Sequence, residues 1–252
     1  MNQQLLTSIK SQKWFYEFQL PDGTVTESYL PKEVRLIHRT RERALRNFLG
    51  NRNSGAPDVG SAIDISCHEG FFTHVLSEYF PSVIGIDKNA ESLAKARQMA
   101  SCLGKEKITF VHSAIEDWPD QNDIDFVLCY GLLYHVENPI AVFRRIAQLA
   151  RRTVCIESQI VPVSIDMQIE DGSYSSQRES RGIFGLCLDY PTRSEGGLTE
   201  LALVPSKDAL VTLLRHFGFG NIRFFCPTGD DYEQFVRGQR VIICADKVEK
   251  NV

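Results

Sequence analysis

The chain has 252 residues, of which 24% are charged and 43% hydrophobic, and a net charge of -4. That length suits one α/β domain with additions, and the acidic balance excludes a globally basic nucleic-acid binder. Seven cysteines lack C-x-x-C spacing, which argues against a zinc ribbon, and their odd number argues against a full disulfide framework. The N-terminal MNQQLLTSIK has no apolar signal core, and no run approaches a membrane span. A cytoplasmic protein in a reducing compartment is expected, with no membrane partner.

KWFYEFQLPDGTVTESYLP is aromatic-rich around a P-D-G turn and reads as a short extended arm or hairpin. Pro31 then opens a predicted helix to about Leu49, with Val34, Ile37, Leu45, Phe48 and Leu49 on its apolar face. Lys32, Arg35, Arg39, Arg41, Arg43 and Arg46 lie between them, against Glu33 and Glu42. Two readings stand for this basic face: phosphate contacts to RNA, or a solvated helix surface. NRNSGAP links this segment, 1–56, to a main domain at 57–252.

The main domain opens with an apolar run from Asp58 to Ile65, then a turn carrying Ser66, Cys67, His68, Glu69 and Gly70. A helical pattern follows, with Phe71, Phe72, Val75, Leu76 and Tyr79 on one side, then a second apolar run, Ser82 to Asp87. Strand, glycine-bearing turn, helix, strand and acid form the first half of a nucleotide-binding α/β unit. The acid, Asp87, is placed to accept from two ribose hydroxyls. A dinucleotide site wants G-x-G-x-x-G, because bare backbone must approach a pyrophosphate, and only Gly70 is clear here. S-adenosylmethionine (SAM) has no phosphate, so the degenerate turn favours it.

Ala90 to Leu103 reads as an amphipathic helix ended by Gly104, and Ile108, Phe110 and Val111 mark a third strand. Ligands of such sheets lie at the carboxyl ends of the strands. Ala114 to Trp118 therefore border the adenine, with Ile115 offering its backbone N–H and Glu116 or Asp117 accepting from the amine, or with both acids capping a turn. Asp123 to Cys129 is a fourth strand, and it delivers Tyr130, Tyr134 and His135 to the same edge. Asn138–Pro139 starts a helix to Ala150, and Thr153 to Glu157 is a fifth strand.

D-I-x-C-x-E-G-F-F, V-I-G-I-D, D-F-V-L-C-Y-G-L-L-Y-H-V-E-N-P and C-I-E-S occur in that order. The order resembles the class I SAM-dependent methyltransferases. Within them it is most similar to the branch of the bacterial tRNA wobble-uridine carboxymethyltransferase and its small-molecule methyltransferase relatives. VPSKDALVTLLRHFGFGNIRFF and QRVIICADK continue the likeness, which spans roughly residues 57 to 247. It implies a Rossmann-like α/β fold: a seven-stranded sheet, last strand antiparallel, with helices on both faces. It also implies SAM as donor and S-adenosylhomocysteine (SAH) as product, with Asp64, Ser66, Cys67, Gly70, Asp87, Ile115, Glu116 and Tyr130 around the donor.

The family turn reads D-x-G-x-G-x-G; here Ser66 and His68 replace the first two glycines, and His68 is expected to point outward. The resemblance further implies that Arg240 and Tyr134 match residues that hold the extra carboxylate of carboxy-SAM. The lysine completing that clamp has no match, so ordinary SAM and methyl transfer are expected.

Residues 160–204 are too polar and turn-rich for another crossover unit, and they follow strand five as a substrate lid or a surface insertion. Arg178, Arg181, Tyr174 and Tyr190 are acceptor-selecting candidates there, and Arg181, Tyr134 and Arg240 form the expected acceptor set. Ser206 caps a helix from Lys207 to Phe217, and Ile222 to Phe225 and Arg240 to Ala245 are the last two strands. The expected reaction is methyl transfer to oxygen or nitrogen of a small-molecule acceptor. His135 is either the base that takes the acceptor's proton or a satisfied histidine beneath the donor, and Tyr134 orients one of the two reactants. A tRNA-modifying enzyme and a catalytically silent SAM-binding module are the alternatives. Oligomeric state is open.

Overall fold

A computed structural model describes residues 3–50, 60–119, 123–163, 166–170, 177–188 and 200–248. Helix α1 (Gln3–Lys10) was not foreseen: Leu6 and Ile9 are its buried residues, and neighbouring polar residues hide the pattern. The arm that follows has an antiparallel bridge, Gln19–Val25, around its P-D-G turn and a parallel bridge, Trp14–Ser28. Helix α2 (Lys32–Gly50) follows Pro31 and buries Ile37, His38, Thr40, Arg41, Ala44, Leu45 and Leu49. The linker at 51–57 lies outside the described residues.

The main domain runs β1 (Ser61–Ile65), α3 (Phe71–Leu76), β2 (Ser82–Asp87), α4 (Ala90–Leu103), β3 (Ile108–His112) and β4 (Ile124–Tyr130). A 3-10 turn at Leu133–His135 leads to α5 (Pro139–Leu149) and β5 (Ala150–Gln159). Asn89, Asn138 and Ser206 each cap the helix that follows, accepting backbone N–H groups of its first turn. Then come β6 (Asp166–Glu170), β7 (Gln177–Arg181), β8 (Phe184–Leu188), β9 (Leu201–Pro205), α6 (Lys207–His216), β10 (Phe219–Phe224), α7 (Glu233–Val236) and β11 (Arg240–Lys247).

Seven strands form one sheet in the order β10-β11-β5-β4-β1-β2-β3, with β11 antiparallel to β5. Both faces are covered, so the central strands read as continuous apolar runs. Along β4, Phe126, Leu128 and Tyr130 join the core under the N-terminal arm and α2. Val127 and Cys129 join the core on the other face, with Phe143 and Ile146 of α5 and Leu210 and Leu214 of α6. The order reverses between β1 and β4, which opens the crevice where ligands of such sheets bind.

The described parts of the 160–204 insertion are not irregular. They form two antiparallel ladders, β6–β7 and β8–β9. Tyr174 and Tyr190 lie outside the described residues, and Arg178 stands on β7.

Candidate functional site

The turn after β1 keeps a glycine-like backbone despite its substitutions. Ser66, His68 and Gly70 have φ of 62, 51 and 81°, in the left-handed region where side chains are disfavoured. Gly70 is needed for space as well: a Cβ there would lie 2.7 Å from the Phe110 ring. The strained path is fixed by hydrogen bonds: Cys67 N–H donates to Ile86 O at 3.0 Å and Gly70 N–H to Cys67 O at 2.8 Å.

Asp87 anchors this turn from the tip of β2. One carboxylate oxygen accepts from His68 N–H at 2.8 Å and the other from Asn89 N–H at 2.7 Å. Each oxygen has further acceptor capacity, so a diol can still be bound. Asp64, one strand away, faces inward and accepts from the Thr73 hydroxyl at 2.6 Å. Burial pushes its carboxyl up to about 7, against the opposing Thr73 bond and with help from the Asp87 charge. The native state therefore keeps a proton that the unfolded chain releases near pH 4. Stability should fall as pH rises from about 4 to 7, by at most about 1.4 kcal/mol per unit. Asp64→Asn should flatten that slope in urea unfolding and exceed the parent in stability at pH 8.

Across the switch point, four buried side chains converge from α2, the 3-10 turn, β5 and β11. Arg41 Nη2 donates to Glu157 Oε2 at 2.6 Å, and Arg240 Nη1 to Glu157 Oε1 at 2.8 Å. The same nitrogens reach the Tyr134 hydroxyl oxygen at 3.4 and 3.0 Å. Gly131 lies beside the Arg41 guanidinium, and its φ of 77° favours glycine. Two guanidiniums against one carboxylate leave a buried excess of one positive charge.

The N-terminal arm closes over the first turn. Glu69 is 1% exposed, and its Oε2 accepts from Phe15 N–H at 2.7 Å and more weakly from Tyr16 N–H at 3.4 Å. Its other oxygen takes Lys95 Nζ at 2.9 Å. The Phe15 ring lies 4.8 Å from His68 and 4.7 Å from His38. The expected outward direction of His68 is thus away from the strands but into the arm rather than solvent. His38 Nδ1 and Nε2, His68 Nδ1 and Arg41 Nε are buried without a hydrogen-bond partner.

Three residues expected around the donor have side chains with partners inside the protein. Tyr130 turns into the core, its ring 5.2 Å from Phe72 and its hydroxyl 3.5 Å from Cys155 Sγ. Cys67 buries its thiol among Leu93, Ala96 and Phe110, so only its backbone serves the turn. Asp64 faces Thr73 as described. Ile115 is buried and Glu116 is exposed, with its carboxylate 3.7 Å from Lys88 Nζ. That pairing keeps Glu116 beside the residue following Asp87.

On the other side, Tyr134, Arg240 and His135 do come together; the His135 and Tyr134 ring centroids are 4.2 Å apart. β9 sits against the turn that bears them, with Leu203 N–H donating to Val136 O at 3.1 Å. Arg181 is exposed and lies against α6, its carbonyl accepting from the Thr212 hydroxyl at 2.8 Å.

The basic face of α2 is neither bare nor simply solvated. Arg35 and Arg39 pair with Glu17, Arg43 with Asp231, and Arg46 with Glu42 and Glu78. Arg41 is inside. Its spacing held the signal: Ile37, Arg41 and Leu45 stand at i, i+4 and i+8 on the buried stripe, with His38 beside them. Among the described residues no cluster of metal-ligating side chains occurs, and no helix is long and apolar enough to cross a membrane.

Residues 58–180 match a family model described as a methyltransferase domain. A ubiquinone biosynthesis O-methyltransferase of Vibrio parahaemolyticus is 33% identical over 91 residues, 35% of this chain and 38% of that protein. One from Aliivibrio fischeri is 28% identical over 124 residues, 48% of this chain and 52% of that protein. The chain thus matches between a third and about half of these relatives' length. The crystal structure of the N-terminal domain of EvdMO1 with SAH bound superposes with a TM-score of 0.71 at 17% identity, covering 98% of both chains. Magnesium protoporphyrin IX methyltransferase from Synechocystis PCC 6803 with bound SAH gives 0.59 at 14% identity, covering 88% of this chain and 90% of that one. The structural likenesses establish a Rossmann-like fold.

Proposed function

We infer that the chain belongs to the class I SAM-dependent methyltransferases and transfers a methyl group to oxygen or nitrogen of a small-molecule acceptor. The carrying observation is Asp87: a buried carboxylate at the tip of β2, fixed by two backbone N–H groups beside a turn of left-handed residues. Its remaining acceptor capacity suits the two ribose hydroxyls of SAM. The orphaned nitrogens of His38 and His68 also fit a polar ligand in this crevice. The methyltransferase family match over 58–180 and the O-methyltransferase relatives support the reading and favour an oxygen acceptor.

When bound, SAM supplies a methyl group on a sulfonium, whose neutral thioether leaves readily. The chain's own task is then alignment, exclusion of water and removal of a proton. Asp87 holds the ribose. The arm, clasped by Glu69, covers the turn. His135 takes the acceptor's proton, and Tyr134, fixed between Arg240 and Arg41, orients the reactants. The β8–β9 ladder, bonded to the 3-10 turn, serves as the wall of a lid over the acceptor. Against an RNA acceptor stand the α2 ion pairs, which engage the arginines with carboxylates of this chain.

Isothermal titration with SAM and SAH tests the donor site. Asp87→Ala should weaken both by about 1–3 kcal/mol, the usual loss for a hydrogen-bonded charge. An unchanged dissociation constant would contradict the ribose assignment, and a parent that binds neither ligand would overturn the reading.

A further inference from the structure

Of the buried side-chain nitrogens without a hydrogen-bond partner among the described residues, four belong to residues grouped around the first turn and α2. His38 contributes Nδ1 and Nε2, His68 Nδ1, and Arg41 Nε. Phe15 touches both imidazoles, at 4.7 and 4.8 Å between ring centroids, and Tyr16 lies 4.5 Å from His38 and 6.0 Å from His68. Arg41 follows His38 by about one helical turn on the same face of α2. Buried polar groups in folded proteins are nearly always paired, so several orphans in one place point to a polar group that arrives with a ligand.

The cluster spans the two halves of the crevice. His68 belongs to the first turn, and its N–H is bonded to Asp87, the ribose acid. Arg41 reaches across to Gly131, where β4 ends. The orphaned atoms therefore border the region between the ribose end and the end of β4. Asp64 and Glu69 flank the turn, but Asp64 is engaged by Thr73, and Glu69 by Lys95 and the arm.

We propose that His38, His68 and Arg41 hold the amino-acid end of SAM, the guanidinium taking its carboxylate and the imidazoles its ammonium. This deepens the donor reading above and rests on it. The chemistry matches on both charges. Neutral imidazole nitrogens accept from an ammonium, and burial, then Arg41, His68 and Arg240, keep His38 in its neutral form. Burial likewise lowers His68, outweighing the pull of Glu69 and Asp87. The free Nε–H of Arg41 donates to a carboxylate, and the positive excess over Glu157 favours an anion there. The substitutions in the turn then have a use, because His68 supplies a side chain where a glycine would supply none.

The test compares two sulfur nucleosides by isothermal titration on the full chain. SAH carries the amino-acid end, and 5′-methylthioadenosine lacks it. His38→Phe keeps a ring against Phe15 and Tyr16 and removes both nitrogens. His68→Gly suits the local φ and removes the third. Each variant should bind SAH roughly 10- to 100-fold more weakly, with 5′-methylthioadenosine within about 2-fold of the parent. Unchanged SAH affinity in both variants would overturn the assignment. So would equal weakening of both ligands, which marks a structural role. A parent that binds the two nucleosides equally well removes this inference and leaves the donor reading standing; one that binds neither removes both.

Discussion

Glu157→Gln is expected to cost about 3–5 kcal/mol of stability, measured as the shift in urea unfolding at pH 7. Glu157 is 0% exposed, and Arg41 and Arg240 are 7% and 8% exposed at their side chains. An amide of the same shape cannot neutralise two buried guanidiniums, and its NH2 end would face one of them. Burial pushes Glu157 upward, but the attraction and hydrogen bonds of Arg41 and Arg240 outweigh it and hold the carboxyl below its ordinary value. The sign follows. This contribution is present above the ordinary carboxylate range and is lost as pH falls through the depressed value. It is opposite to Asp64, whose raised carboxyl weakens the fold as pH rises. The surface pairs behave differently. Arg39, 70% exposed beside Glu17, can be removed with little effect, because solvent screens such pairs. An unchanged unfolding midpoint for Glu157→Gln would mean that the cluster relaxes or hydrates, and that it is not the fixed centre described.

The sheet was legible because its signals are local. The apolar runs to Ile65 and Asp87 and the helix stop at Gly104 each depend on a few neighbouring residues, and the ends of β1, β2 and α4 fall there. Tyr134, Arg240 and Glu157 were legible as residues near carboxyl ends or, for Arg240, through the family likeness. Their joining by Arg41 was not, since it depends on a contact 116 residues apart in sequence. The clasp of Glu69 on the arm was hidden for the same reason: the N–H groups it binds there lie 53 and 54 residues earlier. The side-chain directions of Tyr130 and Cys67 were not legible, because backbone position at a strand end does not fix them. With a period of two, Tyr130 shares the face of Phe126 and Leu128 and is drawn into the core. The insertion looked irregular because its short two-stranded ladders lack the long apolar runs of the central sheet.

His135→Ala should lower turnover by about 10²- to 10⁴-fold if the imidazole accepts the proton of a hydroxyl acceptor, the usual contribution of a general base. Donor affinity should stay within about 2-fold of the parent, since the proposed donor contacts come from Asp87, the turn and α2. The position supports this division. His135 is half-buried at the end of the 3-10 turn, with its ring beside Tyr134 and the β9 strand bonded to the next residue. It thus stands where the acceptor wall meets the carboxyl end of β4, apart from the arm that covers the donor turn. The measurement is SAH released on incubation with SAM and a small-metabolite extract, beside SAH affinity by titration. Turnover lost with affinity intact assigns the proton to His135. If the two fall together, the ring merely packs Tyr134 into place. If turnover persists, His135 is not the base, and the acceptor loses its proton elsewhere.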